Sequence, residues 1–213
     1  MARFDLKKDE RFDLQKDETG LNKIKVLLGW KKGADLDASA FLLGADGTII
    51  NDADFVFYKS ANREKPFSRE EFGSKPAWRT KTRPMSADGS VLGSYDDRGN
   101  AENDASGDED TEEMFVDLSK VDPKINEIVF CVTIYNEEPD EKSFKDVRDP
   151  YITLINQDNG EEICRYNLQE DFSNETAVAI GSLLINDEGD WTFQAEGKGY
   201  AGGLETLIDI YAS

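Results

Sequence analysis

The chain contains no histidine, and its 213 residues include only two cysteines, three methionines and six prolines. The missing imidazole excludes a serine or cysteine nucleophile activated by histidine, a Cys/His zinc site, and any side chain that titrates near neutrality unperturbed. Carboxylates, lysines or a metal would have to carry any catalysis. The two cysteines, Cys131 in IVFCVTIY and Cys164 in EEICRYNL, stand in apolar strand-like runs. They read as reduced, buried core residues rather than as a disulfide or a reactive thiol. No run approaches the ~18 apolar residues that span a bilayer. The N-terminal MARFDLKKDE is charged from its third residue and has no apolar stretch, so no secretory signal is expected and a cytoplasmic location is. Positive charge is also scarce: 25 Lys and Arg face 45 Asp and Glu, a net charge of −20. A surface of that sign repels nucleic-acid phosphate and anionic lipid and attracts cations, so no nucleic-acid partner is expected.

What the chain does have is a hydrophobic content of 38 % with 12 Phe, enough for a packed interior. Short alternating runs follow one another along it: IKVLLGW (24–30), LDASAFLL (36–43), DFVFY (54–58), MFVDL (114–118), EIVFCVTIY (127–135), YITLIN (151–156), EEICRYNL (161–168), TAVAIGSLLI (176–185) and DWTFQAE (190–196). Turn signals such as ADGT, VDPK and QDNG separate them. Strands at this spacing predict an all-β, two-sheet antiparallel sandwich spanning 1–213 as one domain. Helix is sparse. Leu204, Leu207, Ile208 and Tyr211 recur at helical spacing after Gly202 and Gly203, predicting a C-terminal amphipathic helix docked on the sandwich. A tandem octapeptide opens the chain, RFDLKKDE at 3–10 and RFDLQKDE at 11–18. Its alternation predicts two short extended segments with Phe4, Leu6, Phe12 and Leu14 on one face.

Two charge blocks interrupt the strands. Residues 61–87 hold seven Lys and Arg against three Glu, a basic insertion of net +4. Pro66, Gly73, Pro76 and Pro84 limit regular structure there. The block reads as a mobile surface insertion, dispensable for the fold, partly docked through Trp78 among its three aromatics and contacting an acidic partner, anionic lipid or the chain's own acidic loop; the alternative is a packed loop with no partner. Residues 88–113 hold ten Asp and Glu against one Arg, net −9, with an acidic loop over about 94–113. Asp108, Asp110 and Glu112 alternate into the MFVDL strand, so they project to one side and can converge on one ion. Asp35 and Asp37 form a second pair at i, i+2, and Asp96 and Asp97 in SYDDRGN a third source of ligands. Donors that are all hard oxygens favour Ca²⁺, and a flexible, carboxylate-rich loop suits its high coordination number better than that of Mg²⁺. Glu102, Asp104, Ser106, Gly107, Asp110 and Glu113 also half-match an EF-hand loop. The first position lacks Asp and the following segment alternates as a strand, which excludes that motif.

These residues resemble the TerD family, the tellurium-resistance and stress-response domain. LLGWKKGADLDASAFLL (27–43), DFVFYKS (54–60), VDLSKVDPKINEIVFCVTIY (116–135), SFKDVRDPYITLIN (143–156), NETAVAIGSLL (174–184) and GDWTFQAEGKGYAGGLETLI (189–208) carry the resemblance in order. It implies a β-sandwich binding Ca²⁺ through acidic loops, with Asp35, Asp37, Asp96, Asp108, Asp110 and Glu112 at the matching positions. The family's loop, similar to GDNRTGEGDGDDE, is longer here, with Asp97 where Asn is usual and Thr111 where Asp is usual. The resemblance further implies a non-catalytic adaptor or scaffold with protein partners in a stress complex at the inner face of the membrane. An alternative on the same carboxylates is a metal-dependent phosphoryl or nucleotide hydrolase, with Arg79, Lys81 and Arg83 clamping phosphate.

Overall fold

The computed structural model of the chain describes residues 4–18, 20–31, 36–95, 109–134, 142–168, 172 and 174–213. Its strands are β1 (Phe4–Leu6), β2 (Arg11–Asp13), β3 (Lys23–Lys31), β4 (Leu36–Leu43), β5 (Phe55–Val56), β6 (Val91–Leu92), β7 (Glu109–Asp117), β8 (Glu127–Ile134), β9 (Arg148–Asn156), β10 (Glu162–Asn167), β11 (Ala177–Ile185) and β12 (Trp191–Tyr200). The helices are α1 (Leu14–Asp17), α2 (Arg69–Phe72), α3 (Lys75–Lys81) and α4 (Gly203–Tyr211). The strands form two six-stranded sheets, ordered β1-β10-β9-β3-β7-β6 and β2-β12-β11-β8-β4-β5. Every pairing is antiparallel except β1 with β10, which is parallel. The expected two-sheet sandwich with a C-terminal helix is therefore the fold.

Alternation decides which face each strand buries. In β3, Ile24, Val26, Leu28 and Trp30 enter the core between the sheets and Lys23 and Lys31 stay outside. The second sheet is covered on both faces, which is why β4 and β8 read as nearly continuous apolar runs. From β4, Leu36, Ala40 and Leu42 face the first sheet, whereas Phe41 and Leu43 join Val129, Cys131 and Leu207 in a second core beneath α4. Gly202, at φ 99°, turns the chain into that helix. At its far end the Tyr211 carbonyl accepts from the Ile49 amide at 2.8 Å, and the Tyr211 and Tyr200 hydroxyls stand 3.2 Å apart. No described helix is long and apolar enough to cross a membrane.

The sandwich has two open sides, and each is closed by a segment that the strand pattern alone does not explain. On one, the octapeptides divide between the sheets: β1 pairs with β10 and β2 with β12. Leu14 is not part of an extended segment, because Asp13 caps a helical turn there by accepting from the amides of Gln15 and Lys16. On the other side, β5 and β6 are the edges, and residues 57–90 run between them. This basic segment is ordered and interlocked. Ser68 and Ser74 cap α2 and α3, Phe72 and Trp78 are buried, and the Trp78 indole donates to the Lys65 carbonyl at 2.7 Å. Arg63, only 4 % exposed, donates to the carbonyls of Tyr58, Arg79 and Thr82. Arg83 pairs with Glu64 at 3.0 Å. Charge and proline content pointed to a mobile insertion. The fold instead uses the segment as a cover for two short edge strands, which would otherwise present unpaired backbone groups.

Candidate functional site

Register brings together, at one pole of the sandwich, the strand ends that flank several acid-rich stretches of the sequence. Lys31, the end of β3, pairs with Glu109, the start of β7, and with Arg148, the start of β9. In the second sheet, Leu36 pairs with Ile134, and Ala177 with Thr133 and Tyr200. Only residues 32–35 separate Lys31 from Leu36, so these two sets of strand ends are adjacent. The Phe144 amide ties the same pole together by donating to the Glu175 carbonyl at 2.9 Å. From these ends the chain enters and leaves 32–35, 96–108, 135–141 and 169–171, segments that together carry twelve Asp and Glu against Lys32 and Arg98.

Of the residues singled out from sequence, Asp35, Asp96, Asp97 and Asp108 lie outside the described residues. Asp110 stands in β7 opposite Trp30, and Glu112 opposite Leu28. Glu112 shares its strand face with Met114 and Val116, both in the inter-sheet core, so it lies on the inner face at the mouth of the sandwich. Glu113 is on the outer face, where its carboxylate pairs with Lys25 at 2.9 Å. Asp37, opposite Thr133 in β4, alternates with Leu36 and Ala38, which face the core, and so belongs to the outer face of the second sheet. The register thus brings Asp37 and Glu112 to one pole but to different faces. Among the described residues, no group of three or more Cys, Asp or Glu is arranged to hold a metal. The residues singled out from sequence are all carboxylates, donors that suit a hard cation better than zinc or copper.

The sequence reading did not single out the acidic run Glu137, Glu138, Asp140 and Glu141, which lies outside the described residues. It also missed a carboxylate cluster at the opposite pole. A pocket of about 210 Å³ there is lined by Asn51, Asp54, Asp88, Asp122 and Lys124, with Ile50, Ala87 and Ile125. Asp54 is 4 % exposed, and burial pushes its pKa up, helped by the charge of Asp88. Burial acts on Asp88 in the same direction, but hydrogen bonds from Ser86 and Ser90 outweigh it and hold that carboxyl below its usual value. Asp88 also accepts the Asp122 amide at 2.8 Å, tying together loops 34 residues apart. Donors from the chain serve these carboxylates, so the cluster fastens loops. The phosphate clamp of the hydrolase alternative is weakened at one position, since Arg83 already pairs with Glu64 and lies over the Phe115 ring.

The fold is a two-sheet β-sandwich of mostly antiparallel strands. The TerD domain matches residues 1–71 and 82–211, and the chain belongs to that family. It is 35 % identical over 197 residues to "Tellurium resistance protein TerD" of Serratia marcescens, covering 90 % of this chain and 88 % of that one. It is 34 % identical over 213 residues to "General stress protein 16U" of Bacillus subtilis, covering 97 % and 95 %. The crystal structure of a homologue of the telluride resistance protein TerD from Streptomyces coelicolor superposes with a TM-score of 0.58 over 90 % of this chain and 96 % of that one. At 19 % identity that likeness concerns the fold. The relatives are named for resistance and stress rather than for a reaction.

Proposed function

We propose that the chain is a calcium-binding, non-catalytic module of a tellurite-resistance and general stress response, working in the cytoplasm as a Ca²⁺-dependent adaptor at the inner membrane face. The observation that supports this most is the convergence of strand ends bearing four acid-rich segments on one pole. Asp35, Asp37, Asp96, Asp97, Asp108, Asp110 and Glu112 are the residues that would hold the ion. Bound Ca²⁺ would neutralise carboxylates that otherwise repel one another, changing both the stability of the pole and the charge it presents. The adaptor role rests on that change: a partner recognises the pole in one charge state and not in the other.

Calorimetry on metal-stripped protein tests the reading, with Ca²⁺ expected to bind and Mg²⁺ to bind more weakly. Calcium at about 100 times its dissociation constant should add roughly 2.7 kcal/mol to the unfolding free energy. Asp110→Ala and Glu112→Ala should each weaken binding, whereas Glu113→Ala, which breaks the outer-face pair with Lys25, should not. An identical melting temperature in chelator and in excess Ca²⁺ would refute calcium binding.

A further inference from the structure

The TerD match passes over residues 72–81, the stretch that builds α3. Lys75 and Arg79 are one turn apart on that helix and share a face, and Lys75 also neighbours Trp78. Phe67 meets the Trp78 ring edge-on with centroids 5.8 Å apart, and is itself 38 % exposed. Beneath them, Arg63 and the Trp78 indole lock α3 to the loops around it, so the platform is rigid before anything binds. Lys65 pairs with Glu71 at 3.6 Å. Among the described residues, Arg69, Lys75, Arg79 and Lys81 have no carboxylate partner, in a chain that carries 45 Asp and Glu. The Nε of Arg79 is buried and has no hydrogen-bond partner.

We propose that this face of α3, formed by Lys75 and Arg79 with Phe67 beside them, docks an acidic segment of a partner protein. Arginine matches a carboxylate through two parallel N–H···O bonds, and the exposed aromatic supplies the apolar contact that protein interfaces place at their centre. Charge complementarity selects the occupant. A membrane or a nucleic acid is an extended anionic surface, and would meet the rest of a molecule of net charge −20 within about one Debye length, ~8–10 Å, of the patch. A short acidic polypeptide meets only the local positive face. This docking goes beyond the calcium reading and is independent of it, so it is tested with chelator present.

The probe is a fluorescently labelled oligo-glutamate of about twelve residues, titrated with the full chain at about 50 mM salt and followed by anisotropy. The double substitution Lys75→Glu with Arg79→Glu should weaken binding by about tenfold or more, and raising salt to about 300 mM should weaken it in the parent chain. Lys120→Glu, at an exposed lysine elsewhere, should leave it unchanged. If the charge reversal disturbs folding by circular dichroism, Lys75→Gln with Arg79→Gln carries the same test. Unchanged affinity in a folded double variant overturns the proposal. So does tighter binding of phosphatidylserine vesicles or duplex DNA than of the peptide, lost in the same variants.

Discussion

Replacing Gly29 by alanine should destabilise the sandwich although the position lies in regular strand and places no unusual demand on φ. Gly29 faces Tyr151 across the β3–β9 pair. A Cβ there would lie 2.5 Å from the Tyr151 Cε1 and closer still to Cζ and the hydroxyl. The ring cannot swing away freely, because it is only 5 % exposed and the Arg165 guanidinium covers it, 3.4 Å from its centroid. Overpacking of this kind costs about 1–3 kcal/mol. Parting Arg165 from the ring would add about 0.5–1 kcal/mol, while alanine recovers roughly 0.5–1 kcal/mol of backbone entropy lost by a strand glycine. The net loss expected is about 1–3 kcal/mol, read as a lower urea midpoint and as a melting temperature reduced by about 2–4 °C per kcal/mol in a chain of this size. The mechanism makes a sharper demand. In a Tyr151→Leu background the same glycine substitution should cost little or become favourable, because the clashing ring is gone. An equal loss in both backgrounds, or none in the parent, would refute the steric account.

Three further outcomes follow from side chains described above. Arg63→Met should lower stability by about 2–4 kcal/mol, since it orphans carbonyls of Tyr58, Arg79 and Thr82 inside the cover over β5 and β6; a loss below about 1 kcal/mol in urea unfolding would contradict that role. Glu127 has its pKa raised by burial, with Glu196 adding like charge, so its ionised form is disfavoured in the fold. Its contribution should therefore fall as pH rises from the ordinary carboxyl value through the raised one, and Glu127→Gln should flatten the pH dependence of the urea midpoint above about pH 4. Burial pushes Cys164 up to about 12 and Cys131 above its usual range, so neither should react with a thiol reagent at pH 8 until the chain unfolds; stoichiometric labelling of native protein would contradict their burial.

The strands were legible where alternation or a continuous apolar run ended at a turn signal. The run at 36–43 coincides with β4, and the helical spacing of Leu204 to Tyr211 marks α4. Elsewhere tertiary context overrode the local pattern. DFVFY contributes only Phe55 and Val56 to a sheet: the capping box of Asn51 and Asp54 winds 52–54 into a 3₁₀ turn, and a turn in which the Ser60 amide donates to the Phe57 carbonyl ends the strand. The basic block looked loose because its ordering contacts are non-local: Arg63 reaches carbonyls up to 19 residues away. For the candidate site, the sequence supplied residue types and their spacing, and strand register placed Asp37, Asp110 and Glu112 toward one pole. It could not reveal that the end of β8 comes to the same pole, since that depends on its pairing with β4, some ninety residues earlier.

The octapeptide repeat sets the folding chain an identity problem. Copies differing only at Lys7 and Gln15 end in different conformations, a strand and turn in the first and a strand and helical turn in the second. Phe4 is 42 % exposed where Phe12 is 4 %, and Leu14 is fully buried where Leu6 is not. Local propensity cannot tell the copies apart, so a chain slipped by eight residues, with the first copy paired to β12 in place of the second, keeps the residue types of that pairing and gives up the Phe4–Phe12 ring contact at 4.9 Å. It also loses β1 at the far edge, and it must absorb eight surplus residues before Leu21 reaches its place in the core. The native register is thus selected by loop length and by the second sheet edge waiting for a strand, and a chain lacking one copy has a ready means of folding with a single unguarded edge.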